Sequence, residues 1–198
     1  AASDVYKRQV SDIVAPMVET TYAAQKFVSA MKNQTMALRT LGVKSHLNIE
    51  THTAAANSKF IIEDHSDYIA GIVVGRSDLS QSLGLTKSEV DSKGVMEVAR
   101  SVFTHAKLAG LTTTLGGSIS SKSASHIKSL TTAGLLDRFE TRAVVFNVGP
   151  SHSESDIKLL INMALEYEQL LLERRMVYSE VRSYSLRQRI KAIEGRKE

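Results

Sequence analysis

The chain of 198 residues has no cysteine and no tryptophan, and it has only two prolines. Without cysteine there is no disulfide and no thiolate chemistry, which suits a reducing compartment. No stretch reaches the roughly 18 consecutive apolar residues of a membrane-spanning helix. The N-terminus lacks the apolar core of a signal peptide. The expected localisation is therefore cytoplasmic. No G-x-G-x-x-G follows any apolar run, which argues against a dinucleotide fold. The six histidines form no H-x-x-x-H pair, and among them only His52, two residues beyond Glu50, stands near a candidate site. A hydrophobic content of 42% with 23% charged residues is enough to build one sizeable domain.

Positive charge is in excess, at +4 net, and much of it lies in the last third, around Arg174, Arg175, Arg182, Arg187, Arg189 and Lys191. These residues are interleaved with Glu173, Glu180 and Glu194, and no aromatic or glycine-rich nucleic-acid motif accompanies them. The stretch reads as a solvated helix face. Neither a nucleic-acid nor a membrane partner is expected. At the other end, Asp4 to Gln9 reads as a translated adapter from library preparation. Residues 1–9 are set aside as a non-native leader, with a gene cut at that point.

What is present is alternation. Ile13–Ala15, His46–Ile49, Ile69–Val74 and Leu111–Leu115 are apolar runs of strand length. Between them, apolar residues recur at helical spacing: Ala24, Phe27, Val28 and Met31; Ala56, Phe60 and Ile61; Val95, Val98, Ala99, Val102 and Ala106; Ala124, Ile127 and Leu130. A fifth strand lies within Leu136 to Val148, as Leu136–Thr141, as Ala143–Phe146, or as two short pieces. From Asp156 the chain reads helical almost to its end, with a break near Ser183–Ser185. Methionines 31, 36, 96, 163 and 176 fall at apolar positions and read as packing.

Such βα alternation predicts an α/β fold, either a doubly wound sheet or a (β/α)8 TIM barrel. The barrel is preferred, because the unexplained polar residues stand at the C-terminal ends of the strands: Glu19, Glu50, Asp78, Ser118, and Glu140 or Arg142. A complete barrel takes about 250 residues. The expectation is its C-terminal five βα units over residues 10–155, followed by a long helical extension over 156–198. That extension carries more apolar surface than one barrel side covers, which predicts a homo-oligomer.

Glu50 and Asp78 are one βα unit apart, so consecutive parallel strands would bring both carboxylates to one mouth. Paired carboxylates with open positions suit Mg²⁺ or Mn²⁺. Each has a plainer reading, Glu50 as a helix N-terminal acid and Asp78 as a cap, but the two together favour a metal site. Glu19 could be a further metal contact, an acid or base, or simply a first-turn helix acid. Gly116, Gly117 and Ser118 could let backbone approach an anionic group, or could form a plain tight turn. Arg142 would clamp a substrate carboxylate if the last strand ends at Thr141, and would sit at the barrel bottom if Ala143–Phe146 is the strand. Arg76 either brings positive charge to the mouth or points to solvent.

Three segments resemble one family. Ile13-Val14-Ala15-Pro16-Met17-Val18-Glu19-Thr20 resembles the fourth-strand motif of the HpcH/HpaI aldolase and citrate lyase family. Asn48-Ile49-Glu50-Thr51 resembles its fifth-strand metal ligand, and Gly75-Arg76-Ser77-Asp78-Leu79-Ser80 with Ser82-Leu83-Gly84 its sixth-strand motif. The last is the most specific, and the likeness runs from Ile13 to Glu173. It implies that Glu50 and Asp78 bind the divalent metal, and that backbone N–H groups near Ser77 and Asp78 hold a substrate carboxylate. It also implies C–C lyase or aldolase chemistry on a 2-oxo acid or related acyl substrate through a stabilised enolate. Arg76 stands where many relatives have a small residue. The family's keto-acid-binding Arg and its His–Asp base would lie before Ser11, and Leu136 to Arg142 with the basic C-terminal helix resembles a less characterised branch.

Overall fold

The computed structural model describes residues 10–33, 42–177 and 183–196, and the statements below concern these. The leader 1–9 and Met36 lie outside them. Five parallel strands follow one another in both sequence and space: β1 (Asp12–Ala15), β2 (Lys44–Ile49), β3 (Gly71–Gly75), β4 (Thr112–Gly116) and β5 (Arg138–Glu140). A sixth, β6 (Val145–Asn147), returns antiparallel beside β5. The sheet curls into an open half-barrel. The seven helices are α1 (Thr21–Asn33), α2 (His52–His65), α3 (Arg76–Ser82), α4 (Lys93–Leu108), α5 (Ala124–Thr132), α6 (Glu154–Val177) and α7 (Ser183–Glu194). The region from Leu136 to Val148 thus forms two short strands, a hairpin rather than a further βα unit.

Alternation along each strand divides the sheet into two faces. Leu47, Ile49, Ile72, Val74, Leu115 and Phe139 are fully buried and join the helices in one core. Burying each such side chain contributes roughly 1.5–3 kcal/mol. The helices supply matching stripes: Ala24 and Val28 from α1, Val95, Ala99, Val102 and Ala106 from α4, Ala124, Ile127 and Leu130 from α5, and Ile157, Ile161 and Leu172 from α6. The inward face of α2 differs from the expectation. Ala54, Ser58, Ile61 and Ile62 face in, while Ala56 and Phe60 are exposed. Apolar residues on both sides of this helix make its period ambiguous, and the sheet selects the Ile61–Ile62 side.

The other face of the strands is polar. Asp12, Val14, His46, Val73, Thr114, Arg138 and Glu140 line an open cavity of about 570 Å³. His46 Nε2 lies 2.7 Å from Asp12 Oδ1, and Arg138 Nη1 lies 3.4 Å from the same oxygen. On α6, Leu159, Met163, Tyr167 and Leu170 are exposed, so the described residues leave apolar surface open on this helix. Met163 is thus about half exposed, whereas Met96 is buried in the core. No helix among the described residues is long and apolar enough to cross a membrane.

Asp137, just before β5, ties that strand to α4. Lys107 Nζ reaches its Oδ1 at 2.6 Å, and the Thr113 N–H donates to Oδ2 at 2.8 Å. Burial alone would raise the Asp137 pKa, but the Lys107 and Thr113 contacts outweigh it and hold the pKa below the ordinary aspartate range. A depressed folded pKa stabilises the fold above the unfolded value, and that stability is lost as pH falls through the folded value. Asp137→Asn is therefore expected to lower the melting temperature most above about pH 5, with the gap to the wild type closing towards about pH 2. Melting curves followed by circular dichroism check this; a gap independent of pH would contradict it.

Candidate functional site

The strand register sets one row of residues across the C-terminal rim. Gly75 pairs with Gly116, and Ile49↔Val74 and Leu115↔Phe139 are the neighbouring pairs. Continuing one residue gives the row Glu50–Gly75–Gly116–Glu140. The two central positions have no side chain, so the flanking glutamates lean over them. A Cβ on Gly75 would lie 2.8 Å from Glu50 Oε2, and one on Gly116 would lie 2.8 Å from Glu140 Oε1. A side chain at either place would have to displace a glutamate carboxylate from the rim.

Glu50 is buried and held from two sides. The Met17 N–H donates to Oε1 at 2.8 Å, and Asn48 Nδ2 donates to Oε2 at 2.6 Å. Burial is the main cause that raises its pKa, and the neighbouring Asp78 carboxylate adds to it by repulsion and by sharing a proton, against the Met17 and Asn48 donors. Asp78 itself is exposed, in the first turn of α3. Glu140 is likewise raised, first by burial and then by the charge of Glu50. Asp78 is thus near enough to act on Glu50, and Glu140 stands on the same rim, in keeping with a strand that ends near Thr141.

Two departures from ordinary backbone mark the same rim. Met17 and Ser118 are the non-glycine residues with positive φ among those described, at 53° and 51°. Strain of this kind collects at functional sites. Met17 uses it to aim its N–H at Glu50. Ser118 lies beside α3, with its Oγ 2.8 Å from Ser77 Oγ. Gly117, at φ 83°, passes so close to α3 that a Cβ would lie 2.5 Å from the Arg76 and Ser77 nitrogens. The missing side chain is what lets the loop pack directly on the first turn of α3.

The other candidates sit elsewhere. Glu19 accepts a 2.6 Å hydrogen bond from Thr51 Oγ1, which also caps α2 through the Ala54 N–H. It therefore supports the turn after Glu50. His52 is exposed, and its N–H donates to Ser82 Oγ. Arg142 follows β5 on an exposed turn and lines a different cavity, with Arg189 and Arg196.

Arg76 requires a correction, because it reaches neither the mouth nor solvent. Its side chain is 0% exposed. It pairs with Asp91 and donates to the carbonyls of Gly116 and Gly117, each at 3.1 Å, and to Ser123 Oγ at 3.3 Å. Burial lowers its pKa, and the Asp91 carboxylate opposes that. It cannot contact a substrate; it fixes the loop that carries Gly116 to Ser118.

A divalent cation fits the donors at the rim. Asn48 Oδ1 is buried without a hydrogen-bond partner and lies 3.0 Å from where a Gly75 Cβ would be, as Glu50 Oε2 lies 2.8 Å from it. The set is oxygen only and includes two mutually repelling carboxylates, which suits Mg²⁺ or Mn²⁺. Among the described residues no group of three His, Cys, Asp or Glu side chains is placed to hold an ion, so two carboxylates would leave positions for water and substrate. Asn48 was legible in principle, being two residues before Glu50 on the same strand face. The Met17 N–H carried no sequence signal.

The sequence matches the family model described as HpcH/HpaI aldolase/citrate lyase over residues 1–127. Among solved structures the fold is similar to that of the citrate synthase SbnG, at 16% identity, 84% coverage of this chain and 66% of that chain, with a TM-score of 0.52. A variant of SbnG gives 17% identity, 84% and 68% coverage and a TM-score of 0.54. An HpcH/HpaI aldolase from Desulfitobacterium hafniense gives 14% identity, 63% and 57% coverage and a TM-score of 0.49. The chain thus spans 57% of the length of that aldolase. No protein of curated function matches the sequence.

Proposed function

The chain belongs to the HpcH/HpaI aldolase/citrate lyase family, and from that premise we propose that it performs metal-dependent carbon–carbon lyase or aldolase chemistry on a 2-oxo acid or related acyl substrate. The observation that carries this reading is the pairing of Glu50 with Asp78 at one rim, beside an unpartnered buried oxygen of Asn48. Glu50 and Asp78 would hold the ion, and Asn48 and the Met17 N–H keep the Glu50 carboxylate in place. When bound, Mg²⁺ or Mn²⁺ supplies Lewis-acid stabilisation of the charge that develops on a keto oxygen.

The chain's own groups do the positioning. Backbone N–H groups near Ser77 and Asp78, in the first turn of α3, would hold a small anionic group, with the Ser77–Ser118 hydroxyl pair beside them. A substrate carboxylate placed there would lie next to Asp78, within reach of an ion shared with Glu50. The test is proton exchange. Pyruvate in D₂O with Mg²⁺ or Mn²⁺ is expected to lose its methyl protons faster with the protein than with metal alone, as followed by proton NMR. Exchange at the metal-only rate removes the proposal.

A further inference from the structure

Beside the rim lies a second cavity, of about 480 Å³, between the loop after β4 and the end of α7. Five cations line it: Lys87, Lys122, Arg142, Arg189 and Arg196. It has two carboxylates, and both are already engaged. Asp91 pairs with the buried Arg76, while Glu168 lies 3.1 Å from Arg189 and 3.7 Å from Arg196. Lys87, Lys122 and Arg142 have no ion-pair partner among the described residues.

The cavity is built rather than incidental. The Ser121 N–H donates to the Arg196 carbonyl at 3.3 Å, and Ile193 is 2% exposed, so the end of α7 is fixed over the loop. Arg196 Nε is buried without a hydrogen-bond acceptor. Burial lowers the Arg196 pKa, Glu168 opposes that, and Arg142 and Arg189 lower it further, so the three guanidiniums are close enough to repel. Gathering like charges around a partly enclosed space costs free energy unless an anion offsets it. Ser118 lines this cavity and also meets Ser77, so the cavity and the Glu50–Asp78 rim share a wall.

We propose that this cavity binds a phosphate-class oxyanion, the distal group of the ligand whose 2-oxo acid or acyl end lies at Glu50 and Asp78. The link to that ligand rests on the function proposed above; the oxyanion site does not. Phosphate is favoured over carboxylate because it carries about −1.5 to −2 charge and three acceptor oxygens, which suit several guanidinium forks and ammonium groups at once.

Calorimetric titration of the metal-free protein with inorganic pyrophosphate, at ionic strength held constant with chloride, tests this. Saturable binding to one site is expected. Arg142→Gln and Lys122→Gln, both at exposed positions, should each weaken it by about tenfold or more, as the loss of one charge-assisted hydrogen bond does. Glu50→Gln should leave it unchanged, and malonate should bind at least about tenfold more weakly than pyrophosphate. No saturable binding, equal affinity in both cation variants, or a preference for malonate overturns the proposal. Pyrophosphate binding without metal-dependent exchange of pyruvate would leave the oxyanion site standing and remove the lyase reading. Exchange without pyrophosphate binding would do the reverse.

Discussion

Glu50→Gln is expected to abolish metal-dependent exchange at the pyruvate methyl, with a fall of at least about 100-fold, the loss typical of removing one group that stabilises a developing oxyanion. Mn²⁺ affinity, read by electron paramagnetic resonance, should fall by at least about 10- to 100-fold, the range seen when even a residue supporting a ligand is removed. The fold should not suffer. Glu50 is a buried carboxylate that burial and Asp78 both discourage from ionising. Glutamine keeps its shape and an acceptor for the Met17 N–H, its amide can donate to the unpartnered Asn48 Oδ1 once the Asn48 amide turns over, and the repulsion is removed. The melting temperature at neutral pH should therefore stay level or rise while activity is lost, the exchange of stability for function expected of a site residue. Asp78→Asn should reproduce the loss of Mn²⁺, with less effect on stability because Asp78 is exposed. Retention of full exchange by Glu50→Gln would show that the carboxylate pair is not where the chemistry happens.

Much of the fold was readable in the sequence because its periods are local. The runs at Ile13, His46, Ile69 and Leu111 became β1 to β4, in the expected parallel order. Gly110 and Gly134, both at positive φ, stand just after α4 and α5, where glycine commonly ends a helix. Glu50 and Asp78 stood out as candidates because a carboxylate at a strand end has no packing role. What escaped depends on contacts between distant segments. The row Glu50–Gly75–Gly116–Glu140 exists only once three strand registers are fixed, so the pairing of two glutamates over two glycines was invisible. The hairpin of β5 and β6 left two strand limits open, because Leu136 to Val148 is β-rich throughout and only the antiparallel pairing of Phe139 with Phe146 decides it. Arg76 was misplaced for the same reason. A charged residue after a strand-ending glycine looks solvent-bound until Asp91 and the carbonyls of the next strand's loop are brought to it.

Arg76→Met is expected to be the most destabilising single change in the chain. The variant keeps an unbranched stem of the side chain but not the guanidinium, and so removes its charge and donors. Asp91 is then left without its partner, and the Gly116 and Gly117 carbonyls lose theirs. Breaking a buried ion pair from one side costs about 3–5 kcal/mol, and since Asp91 keeps some contact with solvent the lower end applies. For a chain of this size that lowers the melting temperature by about 10 °C. Arg76→Met combined with Asp91→Leu should recover part of the loss, because no uncompensated carboxylate remains. The two substitutions would then be non-additive, as expected of residues in one network. The consequence for the rim follows from the same bonds. Arg76 touches no substrate, yet it holds the loop on which Gly117 and Ser118 meet α3. In the part of the Arg76→Met population that remains folded, pyruvate exchange should therefore show a raised KM while Mn²⁺ affinity at Glu50 and Asp78 stays near the wild-type value. A variant that melts with the wild type would mean that the loop is held by something other than this guanidinium.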